Sequence, residues 1–266
     1  MSEMEKSQLS LNGVRAENTD EGIYIIQPQD VMVTLNSIRG EVQTTILDPW
    51  YNKGIGGEDD NYHDWIEQIL NLSAEISEHI FLWGFPEIVA QSINTIPKGF
   101  KLVAWLTWYY KNCPSVIRGW RSSQNACLHL SRKGARLYPE NFLNGKQLEK
   151  KEKGKLRFIP GPPSVIEAPL LVGFVGKNEQ TGHPSQKPIA TIKPLVLMST
   201  KPGDVVLDPM CGSGTTGAVC RETNRVCLMC DISEEYTEMT EKRLGIKRTH
   251  IPGCIDIQKL DNAQVV

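Results

Sequence analysis

The chain has 266 residues, 40% of them hydrophobic, which suits one α/β domain with a real core, alone or with a small insertion. Its net charge is -2 with 23% charged residues, so bulk charge is silent on a polyanionic partner and only a local patch can speak. No apolar run approaches the ~18–20 residues that span a bilayer, the start MSEMEKSQLS lacks an apolar stretch, and seven scattered cysteines argue against a disulfide framework; a cytoplasmic protein with no membrane partner is expected.

Residues 1–20 are polar and aperiodic and read as a flexible arm. GIYIIQPQD (22–30) reads as a short strand ending at Asp30. TTILDPWY (44–51) is a β-branched run stopped by proline, hence a buried strand with functional residues at its carboxyl end, and a glycine-rich loop follows at 52–61. Trp65, Ile69, Leu72 and Ile76 recur at helical spacing and mark an amphipathic helix. HIFLWG (79–84) is a strand, Pro86 suits a first helical turn, and KLVAWLTWYY (101–110) is a further strand. The stretch 111–163 is basic and broken by Gly and Pro, and KPIATIKPLVLMST (187–200) reads as a helix that Pro194 bends or delays. The last third alternates clearly: strand 204–208, turn PMCGSG, helix 215–222, strand 225–231, then helix 233–244 with Ser233 at its N-cap. Such alternation predicts a mainly parallel sheet.

In the turn 208–216, glycines let the backbone approach a ligand at the sheet end where α/β folds bind one. Asp231 closes the next strand, 23 residues after Asp208, a position that suits ribose hydroxyls. No lysine follows Gly214, so this is not a phosphate-cradling loop of the GxxxxGK[ST] type, and the third glycine of the dinucleotide fingerprint is missing; a nucleoside without phosphates fits better. The plain alternative is a tight strand-to-helix turn with a helix-capping acid.

Asp48, Pro49, Trp50 and Tyr51 close a buried strand. An aromatic amine is a poor nucleophile because its lone pair is delocalised into the ring. A carboxylate and a rigid backbone carbonyl, each accepting one N–H, would free that lone pair. Asp48 offers the carboxylate, and Pro49 removes a competing donor and fixes φ. Tyr51 offers a face on which an extruded base could stack, as enzymes acting on a base inside a duplex require. The plain alternative is a strand end with a proline stop and two core aromatics.

These two motifs, with Gly182, His183, Pro184, Ser185, Gln186, Lys187 and Pro188 between them, resemble the β class of amino-group (adenine-N6 or cytosine-N4) DNA methyltransferases over roughly residues 22–245. That family orders an Asp/Ser-Pro-Pro-Tyr motif, a target-recognition segment, an HP-x-Q-KP motif, a D-P-F-x-G-S-G-T loop and an acidic strand end. The resemblance implies a seven-stranded, mostly parallel sheet with helices on both faces and a small basic insertion. It implies S-adenosylmethionine held by Asp208, Pro209, Gly212, Gly214 and Thr215, with Asp231 on the ribose, Ser185 and Lys187 at the methionine end and, more weakly, Asp30 toward the adenine. The divisions that follow are an arm (1–20), a catalytic half (21–110), a target-recognition insertion (111–163), a cofactor-binding half (164–248) and a tail (249–266). Two departures stand out: Trp50 where proline is usual, and Met210 and Cys211 where Phe-Ala is commoner. Aspartate at the first motif position favours adenine over cytosine.

Residues 111–157 carry 12 basic side chains against three acids, a local charge of +9 on an otherwise acidic chain. Arg118, Arg121, Arg132, Lys133, Arg136, Lys150, Lys151, Lys153 and Lys155 are the expected contacts to double-stranded DNA, mostly through phosphates. A solvated loop is the alternative. The segment is short for recognition, which leaves room for a homodimer, and a cognate restriction endonuclease is a further candidate partner. Cys227 and Cys230 fall inside one strand, three apart and so on opposite faces, which argues against a metal or redox site; no metal is expected. His63, His79, His129 and His250 are isolated and read as structural, and the GIGG at 54–57 is a candidate lid. The rival functions are an RNA or protein-glutamine methyltransferase and an inactive DNA-binding module on the same fold. The latter would not need intact Asp48 and Asp208.

Overall fold

The computed structural model describes residues 10–11, 14–15, 22–52, 57–113, 119–249 and 254–257. In chain order the elements are β1 (Ser10–Leu11), β2 (Val14–Arg15), β3 (Ile23–Ile25), α1 (Val31–Ser37), β4 (Ile38–Arg39), β5 (Val42–Leu47), α2 (Tyr62–Ile76), β6 (Ser77–Gly84), α3 (Pro86–Gln91), β7 (Phe100–Tyr109), β8 (Gln124–Arg132), α4 (Gly145–Glu152), β9 (Val165–Glu167), α5 (Ile189–Ser199), β10 (Val205–Asp208), α6 (Thr215–Glu222), β11 (Val226–Met229), α7 (Glu234–Leu244) and β12 (Ile255–Asp256). β1 and β2 pair antiparallel inside the segment expected as an arm.

An eight-stranded sheet in the order β3-β11-β10-β5-β6-β8-β7-β9 forms the centre, one strand more than the resemblance implied. Every strand of it runs parallel except β8, which is antiparallel to β6 and β7. The inner strands β10 and β11 are buried at every position, as expected when helices cover both faces. One core layer gathers Leu47, Ile66, Ile69, Leu70, Leu82, Leu128, Leu207 and Leu228 against α2. The other gathers Ile46, Phe81, Trp83, Trp108, Ile192, Leu195, Val206, Val219 and Met229 against α5 and α6. Cys227 belongs to the second layer and Cys230 to the first, so the pair does point to opposite faces.

Topology decides where a site can form. The chain leaves β5 through α2 to β6 on one side, and leaves β10 through α6 to β11 on the other. Neighbouring strands whose connections diverge leave a crevice at their carboxyl ends. Here that switch point lies between β5 and β10, and Asp48 and Asp208 stand at those two strand ends.

Three readings are corrected. The segment 111–163 is not one insertion: QNACLHLSR forms β8, wedged into the main sheet between β6 and β7. Its buried His129 and Ser131 break the apolar alternation that would mark a strand. Pro194 does not delay α5, which starts at Ile189 and carries the proline inside. Asp30 does not end a strand; β3 stops at Ile25, and Asp30 caps α1 by accepting the Met32 N–H at 2.7 Å.

Candidate active site

The glycine turn is built around Asp208. Its carboxylate accepts the Met210 N–H at 3.2 Å and the Thr216 hydroxyl at 2.5 Å, which joins the strand end to the first turn of α6. Burial pushes its pKa up to about 7 against the opposing pull of those two bonds. Gly212 and Gly214 sit at φ 49° and 72°. A Cβ at Gly212 would lie 2.9 Å from the His183 ring, and one at Gly214 would lie 2.7 Å from Thr240. Both glycines are therefore needed by conformation and by packing. Asp231 accepts the Gly212 N–H and the Ser233 N–H, each at 2.9 Å, so it braces the turn from the neighbouring strand. A carboxylate has about four acceptor positions, which leaves Asp231 capacity for a ligand hydroxyl. Beside it Ile232 is 71% exposed, an apolar surface that the sequence did not single out.

The 183–188 motif is tied to this turn. The Thr215 hydroxyl donates to the Lys187 carbonyl at 2.8 Å and receives the Arg243 guanidinium at 2.8 Å. Thr215 is thus a strut between the two motifs. Gln186, quoted in the motif without a role, is buried; it accepts from Thr181 and donates to the Glu179 carbonyl, locking the loop. Ser185 is exposed on the same turn, and its N–H donates to the His183 ring. Pro209 is buried beneath the turn.

Lys187 departs most from expectation. Its side chain is only 5% exposed, and its ammonium reaches both oxygens of Asp48, at 2.7 and 2.6 Å. It sits 5.1 Å from the centre of the Tyr51 ring and 5.7 Å from that of Trp83. The motif expected at the methionine end thereby supplies the partner of Asp48. The Tyr51 hydroxyl also donates to Asp48, at 3.0 Å, and burial together with that carboxylate raises the Tyr51 pKa well above the usual phenol range.

Two aromatic residues that sequence reasoning missed hold the strand end. Tyr62, fully buried at the start of α2, donates to the Trp50 carbonyl at 2.5 Å and meets the Trp50 ring edge-on at 5.0 Å. The signal was there: Tyr62 lies four residues before Ile66 on the apolar stripe of that helix. Phe85, just past β6, meets Tyr51 edge-on at 4.8 Å. Trp50 itself leans on Tyr62 and Trp65, which accounts for an aromatic where the resemblance implied proline.

The expected DNA contacts are scattered. Arg118 lies outside the described residues, as do residues 54–56 of the candidate lid and His250. Arg121 is exposed on the β7–β8 connection, which leaves the sheet at the same edge as Asp48, because Tyr109 pairs with Gln124 and Gly84 with Ala126. Arg132 ends β8 at the opposite edge, roughly 26 Å away at about 3.3 Å per residue. Its guanidinium is occupied by the carbonyls of Ala74 and Ser77 and by the Phe100 ring. Lys133 follows there, and Arg136 pairs with Glu140 at 2.7 Å. The Pro139–Phe142 turn docks on the carboxyl end of α5 through Tyr138 and Asn141. α4, bearing Lys150 and Lys151 and followed by Lys153 and Lys155, branches from that far edge, with Lys153 paired to Glu149. Charge composition located a basic stretch but could not say from which sheet edge each loop leaves.

Fold and site define an open-sheet α/β enzyme with acids on both sides of the crevice between β5 and β10. The family described as DNA methylase, of the N6/N4 type, matches residues 42–242. The chain belongs to this family of DNA methyltransferases. Among curated relatives, the type II methyltransferase M.HpaI of Haemophilus parainfluenzae is 29% identical over 225 residues, covering 79% of this chain and 70% of that protein. The DNA adenine methyltransferase YhdJ of Escherichia coli strain K12 is 45% identical over 69 residues, 26% of this chain and 24% of that one. Among solved structures, the M1.HpyAVI–SAM complex aligns with a TM-score of 0.65 at 21% identity, over 84% of this chain and 100% of its own. The cytosine-N4-specific PvuII DNA methyltransferase aligns at 0.64 and 16%, over 85% and 87%. At those identities the two structures share the fold.

Proposed function

We propose that this DNA methyltransferase transfers a methyl group from S-adenosylmethionine to the N6 amine of an adenine flipped out of duplex DNA. The observation that carries this reading is the placement of Asp48 and Asp208 on the two sides of the β5–β10 crevice, with Lys187 spanning from the cofactor motif to Asp48.

The crevice suits that cofactor. Asp231 retains acceptor capacity for ribose hydroxyls, exposed Ile232 offers a surface for a flat ring, Asp30 stands nearby through the Gln29 N–H bond to the Asp231 carbonyl at 3.1 Å, and the glycine turn holds no phosphate-binding lysine. Ser185 is left as the side chain for the methionine end. When bound, S-adenosylmethionine supplies a methyl group made electrophilic by its sulfonium.

The rest belongs to the chain. Lys187 fixes the plane of the Asp48 carboxylate by engaging both oxygens. A remaining acceptor position of Asp48 takes one amine N–H, and the Pro49 carbonyl, steadied by the Tyr62 bond to the next carbonyl, takes the other. The amine lone pair is thereby turned toward the methyl donor, and Asp48 is the first acceptor for the proton the amine loses. Tyr51, propped by Phe85, walls the base. Aspartate rather than serine at position 48, and the adenine specificity in the name of the Escherichia coli relative, support N6. The type II designation of the Haemophilus relative supports a companion restriction endonuclease, and the few basic groups on the catalytic edge support a second copy of the chain on the DNA. Sequencing for modified bases in DNA from cells expressing the protein tests this reading. N6-methyladenine in one sequence context is expected; N4-methylcytosine would overturn the base, and unmodified DNA the activity.

A further inference from the structure

Two neighbouring loops on the catalytic edge each hold a large aromatic side chain out in solvent beside a cation. Trp120 is 98% exposed and Arg121 next to it is exposed; Phe174 is 91% exposed with the Lys177 ammonium 5.6 Å from its ring centre. The sheet tryptophans Trp83 and Trp108 are 1% and 2% exposed, so Trp120 stands apart from the core. Leaving so large an apolar surface in water forgoes the burial that normally recruits tryptophan.

The described residues at the base of these loops are tied down. Asn112 exchanges two hydrogen bonds with Leu170, at 2.9 and 2.8 Å, Trp108 donates to the Ala168 carbonyl at 2.7 Å, and Lys111 pairs with Glu167 at 2.5 Å. Cys113 is buried in the core, and the Gln180 amide closes the other loop onto the Gly173 and Val175 carbonyls. The described residues that flank the two rings are therefore tied to the sheet. β7 stands three strands from β5, about 14 Å at a strand spacing of about 4.8 Å. That is comparable to the ~12 Å width of a major groove, so a duplex whose flipped base reached Asp48 would bring its remaining stack against this rim.

We propose that Trp120 is the wedge that enters the duplex at the flipped base, with Arg121 and the Phe174–Lys177 pair on the flanking strand. The proposal rests on the DNA-methyltransferase reading above and adds the residue that replaces the lost stacking. Apolar or aromatic wedges between base steps hold a distorted duplex open. A base that is already unpaired costs least to extrude. The wedge should therefore matter for a paired target and much less for a mismatched one.

The test uses the full chain and a duplex carrying the methylated site found by sequencing, alongside the same duplex with the target base mismatched. Methyl transfer is followed with labelled S-adenosylmethionine, and cofactor affinity by calorimetry. Trp120→Ala should lose roughly 10-fold or more in kcat/KM on the paired duplex, the scale set by loss of one aromatic–base stack. On the mismatched duplex it should stay within about 3-fold of wild type, because extrusion there is cheap. Trp120→Phe should keep most of the paired-duplex rate, and cofactor affinity should not change. Equal losses on both duplexes, or no loss on the paired one, would overturn the wedge. A wild-type protein that methylates neither duplex would instead overturn the functional reading on which it stands.

Discussion

The two edges of the central sheet are built differently. At the carboxyl edge, Asp48, Asp208 and Asp231 lie within one crevice, and each already accepts two or more hydrogen bonds from Lys187, Tyr51, Thr216 or a backbone N–H. At the opposite edge lie more of the basic residues, yet Arg132 is consumed by backbone carbonyls and Arg136 and Lys153 by glutamates. A local excess of positive charge and a working surface are therefore separate things. What decides is the edge from which each loop leaves the sheet.

Removing the partner of Asp48 at the carboxyl edge should have a large effect. Lys187→Met removes the ammonium that fixes Asp48 and leaves Tyr51 as its partner. Methyl transfer should fall on the order of 100-fold, the scale of losing one preorganised charge-assisted bond in an active site. The stability loss should stay below the ~3–5 kcal/mol typical of a fully buried pair, because Asp48 is partly exposed. Steady-state rates with a thermal melt check this; an unchanged rate would show that Asp48 needs no such partner. Next comes Asp231→Ala, which should weaken S-adenosylmethionine binding by roughly 10-fold, as expected for loss of hydrogen bonds to a charged acceptor. Calorimetric affinity equal to wild type would remove Asp231 from the cofactor site.

How much of this contrast could be read from the sequence depends on the kind of signal. The run from β10 to α7 was legible because β10 is apolar up to its closing Asp208, β11 is apolar throughout, and Ser233 marks the start of α7. Asp48 was legible because a proline stops a β-branched run. β8 was not, since its two ends are polar and its histidine and serine look like loop residues. Nor were the true partners of Lys187 and Thr215, because they come from β5 and α7, more than 25 residues away along the chain, and no local pattern encodes such a meeting. α1 was missed for want of length: seven residues carry too little periodicity to register.

The two edges can be separated directly by charge. Replacing Arg121 and Lys177 with glutamine should lower the slope of log affinity against log salt by about one for each lost phosphate contact. Replacing Lys150, Lys151, Lys153 and Lys155 should leave that slope nearly unchanged. The reverse result would place the DNA on the far edge. The smallest expected effect is one of pH. The Asp208 pKa is raised in the fold to about 7, above its unfolded value, so its contribution to stability is fully present at low pH and is lost as pH rises from about 4 through 7. The Asp208→Asn variant lacks this loss, so its Tm relative to wild type should climb across that window. A difference that stays flat with pH would contradict the buried, protonatable state assigned to Asp208.

The central claim is that the crevice between β5 and β10 methylates an amine through Asp48. It is tested most directly by measuring transfer of labelled methyl from S-adenosylmethionine to DNA by Asp48→Ala, with cofactor and DNA affinities measured on the same preparation. Both affinities should stay within a few-fold of wild type and transfer should fall by about 10²–10³-fold, since the lost hydrogen bond strengthens only as the amine gains positive charge. Transfer at the wild-type rate, with both ligands bound normally, would contradict it.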